Sequence, residues 1–336
     1  MKKRSFILLL LLSIVLILLY TAAGSANITF ADTFRILLKR ITSARDAVYD
    51  TQEIIILNIR LPRILLAYLC GAALALCGCG YQSVFKNPMA DPFILGVSSG
   101  AALGATLSII FRLSGSFLGL NMTALMAFAG AVGTVFMVFL ISENARSSTT
   151  STLLLIGIAI GQLITAVIAV LMLLFKESIR NIYFWTLGSF ASKSWPHLYV
   201  VLIYFTVGFV FMMFNHKNLD LMLLGKKEAT RLGQDTHVVR RNILLITSLL
   251  AAGVVSITGI IGFVGLITPH VVRLFTGPIH KKLLPFSVLI GGIFLTTADT
   301  IARSLTSQEL PVGIVTAIFG APFFIYLIYS SKRGVV

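Results

Sequence analysis

Residues able to carry out catalysis are spread along this chain without the spacing of a metal or nucleotide site. The sequence contains neither a Gly-x-x-x-x-Gly-Lys-Ser/Thr phosphate loop nor a His-Glu-x-x-His zinc motif. The cysteines lie in an apolar segment without a nearby histidine, so packing explains them better than metal binding. We therefore expect a protein that is not an enzyme and holds no metal or cofactor. The residues considered are His197, His216, His237, His270 and His280, with Cys70, Cys77 and Cys79.

Other polar residues stand inside or beside long apolar runs. Gln82, Asn87 and Asp91 flank or lie in the stretch Asn-Pro-Met-Ala-Asp-Pro, whose prolines and asparagine disfavour a regular helix. Asp299 and Arg303 are four residues apart, the spacing of an ion pair on one helix face. Two interpretations stay open for them: the two charges neutralise each other, or Arg303 faces outward to a partner.

The composition identifies the elements that must position these residues. Hydrophobic residues make up 57% of the 336 positions and charged residues only 12%, and the mean hydropathy is +0.96. A soluble domain carries about 25% charged residues. In lipid the backbone must satisfy its own hydrogen bonds, which favours helices of about 20 apolar residues. The chain is thus predicted to be an all-α, multi-pass membrane protein, and its net charge of +15 does not indicate nucleic-acid binding.

The apolar runs predict ten membrane spans within one domain, residues 1–336. The first run follows Met1-Lys2-Lys3-Arg4 and resembles a signal peptide, but the apolar character of the rest favours a retained helix. The predicted spans are 6–24, 62–84, 93–111, 121–142, 152–174, 196–214, 242–257, 260–275, 284–303 and 312–330.

The distribution of Lys and Arg predicts the orientation. With ten spans both termini lie on one side, and a modest excess of positive charge places that side in the cytoplasm. Segment 25–61 is then extracellular, although the stretch from Arg35 to Arg63 is unexpectedly basic for that side. The longest cytoplasmic connection, 215–241, is amphipathic and has Leu-Gly breaks at 224–225 and 232–233. It is interpreted either as a solvated loop or as two short helices that dock a partner.

An ordered series of motifs from about residue 58 to 330 resembles the FecCD family of ABC importer permeases, which includes the vitamin B12 permease. Met89 and Ile267 depart slightly from the family pattern. The matching motifs are Arg60-Leu-Pro-Arg63, Gly71, Gln82, Lys86-Asn-Pro-Met-Ala-Asp-Pro-Phe-Ile-Leu-Gly96, Ser99-Gly-Ala101, Arg180-Asn, Trp185-Thr-Leu-Gly-Ser189, Leu224-Gly, Ala229, Leu232-Gly, Gly262-Phe-Val-Gly-Leu-Ile-Thr-Pro-His270, Arg273, Ala298-Asp299, Ala302-Arg303, Glu309-Leu-Pro-Val-Gly313 and Gly320-Ala-Pro322.

The resemblance implies a ten-helix subunit with inverted repeats in the cell membrane. It also implies a second permease subunit, in a homodimer or heterodimer, two ABC ATPase subunits that bind ATP and Mg, and an extracytoplasmic substrate-binding protein. Arg60, Arg63 and Arg303 match arginines that receive acidic residues of the binding protein, which would explain the basic extracellular side.

The resemblance further implies a role for segment 215–241 in coupling to the ATPase. Gly225, Ala229, Leu232 and Gly233 would shape the contact with the ATPase, and Thr150 and Ser151 would narrow the cytoplasmic mouth of the pathway. Transport would follow alternating access, with an iron–siderophore complex as substrate. Haem or cobalamin is the alternative within the family. A secondary transporter is less expected, because almost no ionisable groups lie within the spans.

Overall fold

A computed structural model describes residues 3–23, 28–42, 50–144, 149–305 and 308–331, and nearly all of them are helical. The helices are α1 (Lys3–Ala22), α2 (Phe30–Thr42), α3 (Thr51–Ile54), α4 (Leu61–Phe85), α5 (Val97–Ile110), α6 (Met122–Glu143), α7 (Thr150–Leu174), α8 (Ile179–Thr186), α9 (Trp195–Phe214), α10 (His216–Leu224), α11 (Lys226–Arg231), α12 (Thr236–Thr258), α13 (Val264–Thr276), α14 (His280–Ser304) and α15 (Val312–Ser331). A π-helical turn (Ile55–Arg60), a 3-10 turn (Lys176–Ser178) and a hairpin of β1 (Ser116–Phe117) and β2 (Leu120–Asn121) complete the described elements.

The predicted spans correspond to ten of these helices. Within the described residues, seven helices are long and apolar enough to cross a membrane, and three shorter apolar helices, α5, α13 and α15, complete the set. The first predicted span, 6–24, extends two residues beyond the end of α1, and residue 24 lies outside the described part of the chain. The prediction of an all-α membrane protein is confirmed.

Helix α4 lies at the centre of the bundle and contacts α9, α12, α13 and α14. Glycines allow this close packing, because their backbones can touch directly. A Cβ atom at Gly71 would lie 2.2 Å from the carbonyl oxygen of Gly291 on α14, and one at Gly78 would lie 1.8 Å from that of Gly265 on α13. The three cysteines of α4 are fully buried free thiols in this packed region.

Helices α4 and α12 run in opposite directions. The end of α4 and the start of α12 line the same cleft, and farther along the pair the Tyr81 hydroxyl lies 2.6 Å from that of Ser248. This antiparallel arrangement agrees with the inverted repeat that the resemblance implies.

The segment predicted as a polar extracellular stretch, 25–61, is largely helical where it is described. Residues 24–27 and 43–49 lie outside the described part of the chain. Helix α2 has a buried side at Thr33 and Ile36 and an exposed apolar stripe of Phe30, Phe34 and Leu38. The chain from Thr51 through the π-helical turn to Phe85 is one continuous helix of 35 residues. The sequence analysis missed these helices because the segment has too few apolar residues for a membrane span.

Candidate docking and coupling sites

The three arginines predicted to dock a binding protein come together at one end of the bundle, here termed the arginine end. Arg60 ends the π-helical turn, Arg63 lies in the first turn of α4, and Arg303 lies in the last turn of α14. All three are more than 90% buried and bind acceptors within the chain. Their guanidinium groups therefore stabilise the end of the bundle in this structure.

Arg63 holds two carboxylates at once. Its Nε and Nη2 donate to the two oxygens of Asp299 at 3.0 and 2.9 Å, and its Nη1 donates to Glu309 at 2.7 Å. Asp299 therefore pairs with α4 across the helix interface. Neither interpretation of the Asp299 and Arg303 spacing describes this structure, because Asp299 pairs with Arg63 and Arg303 is buried and donates to the Tyr20 carbonyl. The planar guanidinium of Arg63 donates to both carboxylate oxygens of Asp299 at once. An arginine on the same helix as Asp299 is less well placed to form this two-bond contact.

Arg60 and Arg303 bind the carbonyl groups at the end of α1. Arg60 Nη1 donates to the carbonyls of Thr21 and Ala22 at 3.4 and 2.9 Å, and Arg303 donates to that of Tyr20. The last carbonyls of a helix have no partner within it and carry partial negative charge, so two cations satisfy them well. These bonds fix α1 against α4 and α14.

Helices α10 and α11, with the turn that follows them, form a bent segment, residues 216–233, here termed the elbow, at the opposite end of α4. Its two breaks lie where the Leu-Gly pairs predicted them: Gly225 and Gly233 adopt φ angles of +117° and +83°, which favour glycine. Ala229 is fully buried and Leu232 is exposed. The Gln234 amide donates to the Asn218 carbonyl at 2.9 Å and so fastens the elbow to the start of α12.

A basic cleft of about 240 Å³ lies between the elbow and the ends of the long helices. Thr150, one of the two predicted gate residues, lies in its wall, whereas Ser151 is exposed beside it. Thr149 caps α7 by accepting the Thr152 N–H at 3.2 Å. The cleft is lined by Val84, Phe85, Lys86, Thr150, Met222, Gly225, Lys226, Ala229, Thr236, His237 and Arg240. It brings the predicted gate and the predicted coupling residues to one surface.

A buried histidine that the sequence analysis left unassigned connects the elbow to the bundle. His280 Nδ1 lies 2.6 Å from the Asp220 carboxylate on α10, and its Nε2 lies 2.6 Å from the Ser83 hydroxyl on α4. Burial would raise the pKa of Asp220, but its hydrogen bonds with His280 lower it below the ordinary value. The residues are 60 and 197 positions apart, so no local spacing could have indicated this contact.

The loop between α4 and α5 is irregular, as its prolines predicted. The Asn87 and Asp91 side chains accept the N–H groups of Met89 and Phe93 at 2.9 and 2.8 Å. Gln82 joins this region to α13 through the Leu266 carbonyl, 2.9 Å away, and also accepts a hydrogen bond from Arg273. These polar groups support the backbone where the helices end.

The described residues contain one motif with the spacing of a catalytic turn. Gly96-Val-Ser-Ser-Gly100 has the spacing of a nucleophile turn, but an irregular loop precedes it instead of the strand that such a turn requires. No group of three or more His, Cys, Asp and Glu side chains in the described ranges is placed to hold a metal ion. The organised polar contacts thus lie mainly at the two ends of the bundle.

Comparison with known proteins gives four consistent matches. Residues 9–330 match the FecCD transport family. The chain is 43% identical to the cobalamin import system permease protein of Halobacterium salinarum, over 85% of this chain and 76% of that protein. It is 37% identical to the hemin transport system permease protein of Yersinia pestis, over 96% of each. A solved structure of a metal-chelate type ABC transporter in an inward-facing conformation superposes with a TM-score of 0.85 at 33% identity, covering 98% of this chain and 100% of that one.

Proposed function

This chain belongs to the FecCD family of ABC importer permeases, and from that premise we propose that it carries an iron–siderophore complex across the cell membrane. The observation that carries the proposal is the match of nearly the whole chain to permeases of this family. A siderophore complex is a large metal chelate, the substrate type named for the similar solved structure. ATP hydrolysis takes place on a separate ATPase.

The arginine end is proposed to receive the substrate-binding protein on the extracytoplasmic side. Arg63 and Arg303 supply the positive charge. In this structure the partly exposed carboxylate of Glu309 forms an ion pair with Arg63. An acidic group of the binding protein would compete with Glu309 for the guanidinium. Such exchange would orient the two proteins and would weaken with rising salt.

We propose that the elbow contacts the ATPase in the cytoplasm. In this orientation both chain termini lie on the cytoplasmic side as well. Gly225 and Gly233 set its bends, buried Ala229 fixes α11 to the bundle, and exposed Leu232 offers an apolar contact. ATP binding would move the elbow, and the pathway between this subunit and a second permease subunit would open to alternate sides. Thr150 and Ser151 would border its cytoplasmic mouth.

Charge reversal tests the docking proposal. Because both arginines also bind groups within the chain, uptake is measured only on subunit that inserts and co-purifies with its ATPase. In that fraction we expect Arg63→Glu together with Arg303→Glu to abolish uptake. Exposed Arg112→Glu is the matched control, because its only described ion pair is a loose contact of 3.6 Å with exposed Glu177. Normal uptake by the double variant would contradict the docking role.

The elbow is tested separately with Ala229→Glu. A charge at this buried position should displace α11 and reduce co-purification with the ATPase. Lys227→Glu on the exposed side of the same helix places an equal charge without disturbing the packing. Equal recovery of the ATPase with both variants would contradict the proposed contact.

Cobalamin and haem are the alternative substrates, since relatives carry those names. Uptake by the complete transporter in proteoliposomes distinguishes them, using ferric desferrioxamine B, haemin and cyanocobalamin as probes. Preferential uptake of the ferric hydroxamate supports the proposal. Uptake of haemin or cyanocobalamin alone would overturn the siderophore assignment and leave the family unaffected.

A further inference from the structure

One buried chain of hydrogen bonds connects the elbow to the membrane helices. It runs from Asp220 on α10, through His280 at the start of α14, to Ser83 near the end of α4. His280 and Ser83 are fully buried, and Asp220 is partly exposed. One imidazole ring therefore joins three helices.

Asp220 also caps α14 from outside that helix. The residue preceding α14, Ile279, has no side chain that can accept a hydrogen bond. The Asp220 Oδ1 atom takes that role and accepts the main-chain N–H of His280 at 2.8 Å. A carboxylate at a helix N-terminus is also stabilised by the helix dipole. Movement of α10 would thus act directly on the first turn of α14.

The other side of the ring is equally fixed. His280 Nε2 lies 2.6 Å from Ser83 Oγ, and this hydroxyl donates to the Cys79 carbonyl one turn earlier at 2.7 Å. The apolar contacts of Leu219 and Met222 also hold α10 against the bundle. Hydrogen bonds depend on direction in a way that apolar contacts do not, so the His280 contacts define the position of the elbow more sharply.

Helices α4 and α14 form a close pair along their length. Their backbones touch at Gly71 and Gly291, and Arg63 binds Asp299 at the arginine end. His280 is attached to both members of this pair at the elbow end. A displacement entering at α10 therefore acts on an element that reaches the arginine end.

We propose that Asp220, His280 and Ser83 transmit displacement of the elbow to the α4–α14 pair, and through it to the arginine end. This inference rests on the proposed function, in which an ATPase moves the elbow. His280 is a positioning residue, because its fully buried side chain acts through Asp220 and Ser83. Breaking the chain should leave the transporter assembled but weaken communication between its two ends.

The test uses the complete transporter in proteoliposomes, with its ATPase and binding protein and with ferric desferrioxamine B and cyanocobalamin as probes. His280→Gln, Asp220→Ala and Ser83→Ala should keep ATPase association and basal ATP hydrolysis. Stimulation of ATP hydrolysis by the binding protein should fall about tenfold, which is within the usual range of coupling between sites. The amount of probe transported per ATP should fall with it.

Two further variants separate coupling from general damage. Asp220→Asn keeps an oxygen that can accept the His280 N–H and should retain most of the stimulation. Lys217→Gln changes an exposed side chain of the same helix, α10, and should behave as wild type. If His280→Gln fails to assemble, Ser83→Ala, which removes only a hydroxyl group, carries the test.

Unchanged stimulation and transport per ATP in Asp220→Ala and Ser83→Ala would overturn the inference. Equal losses in Lys217→Gln and His280→Gln would also overturn it, because the effect would then belong to the elbow as a whole. Failure of the wild-type chain to bind an ATPase is a separate outcome, which would remove the proposed function itself.

Discussion

The two carboxylates that share Arg63 should differ greatly in their contribution to stability. Asp299 is 1% exposed and receives two hydrogen bonds from the guanidinium, whereas Glu309 is 46% exposed and receives one. Removing one partner of a buried ion pair costs about 3–5 kcal/mol, because the other charge is left without compensation. An exposed pair contributes about 0.2–1 kcal/mol. Asp299→Asn should therefore lower the free energy of unfolding by about 3 kcal/mol, and Glu309→Gln by less than about 1 kcal/mol.

Both substitutions keep the size of the side chain, so charge and hydrogen bonding are what change. The free energy of unfolding can be measured by titrating a denaturing detergent into mixed micelles while following helix content. The double variant should lose more free energy of unfolding than the two single variants together, because Arg63 then has neither carboxylate partner. Equal losses from the two single variants, or strict additivity, would refute the view that burial sets these contributions.

Two other predictions concern helix packing and capping. Gly78→Ala should destabilise the bundle by several kcal/mol, because the new Cβ would lie 1.8 Å from the Gly265 carbonyl oxygen. Gly133→Ala is the control and should not destabilise the bundle, because its Cβ would meet nothing within 4 Å. Unfolding of both variants in detergent measures the difference, and similar stabilities would contradict the prediction. Asp235→Ala should cost about 1 kcal/mol, because the Asp235 carboxylate accepts the His237 and Val238 N–H groups at 3.0 and 3.1 Å at the start of α12. Faster hydrogen exchange confined to the first turn of α12 is the expected signature, and unchanged exchange there would count against the cap.

The membrane helices could be predicted from the sequence because each is a long apolar run between charged or glycine-rich connections. The breaks at Gly225 and Gly233 were also predictable, since a glycine after a short amphipathic run is a strong local signal. Two prolines and an asparagine predicted that the stretch around Asn87 and Asp91 would be irregular. Local sequence patterns were sufficient to predict the structure where it depends on residues that are neighbours in the sequence.

Partners across helix interfaces could not be predicted in this way. The spacing of Asp299 and Arg303 suggested a pair on one helix, but Arg63 binds Asp299 from a residue 236 positions away. The same limit hid His280, whose position in the sequence gives no sign of its contact with Ser83. Identifying such contacts requires the helix packing, which depends on backbone contacts such as that between Gly71 and Gly291.

The burial of Cys70, Cys77 and Cys79 has a practical consequence for studying transport. All three thiols are fully enclosed within α4, and a maleimide reagent reacts only with a thiol that it can reach. The native chain is therefore expected to stay unlabelled while folded, without replacement of its cysteines. Cysteines introduced together at exposed Leu232 and Arg112 could then carry two spectroscopic probes, and the distance between the probes could be followed during turnover.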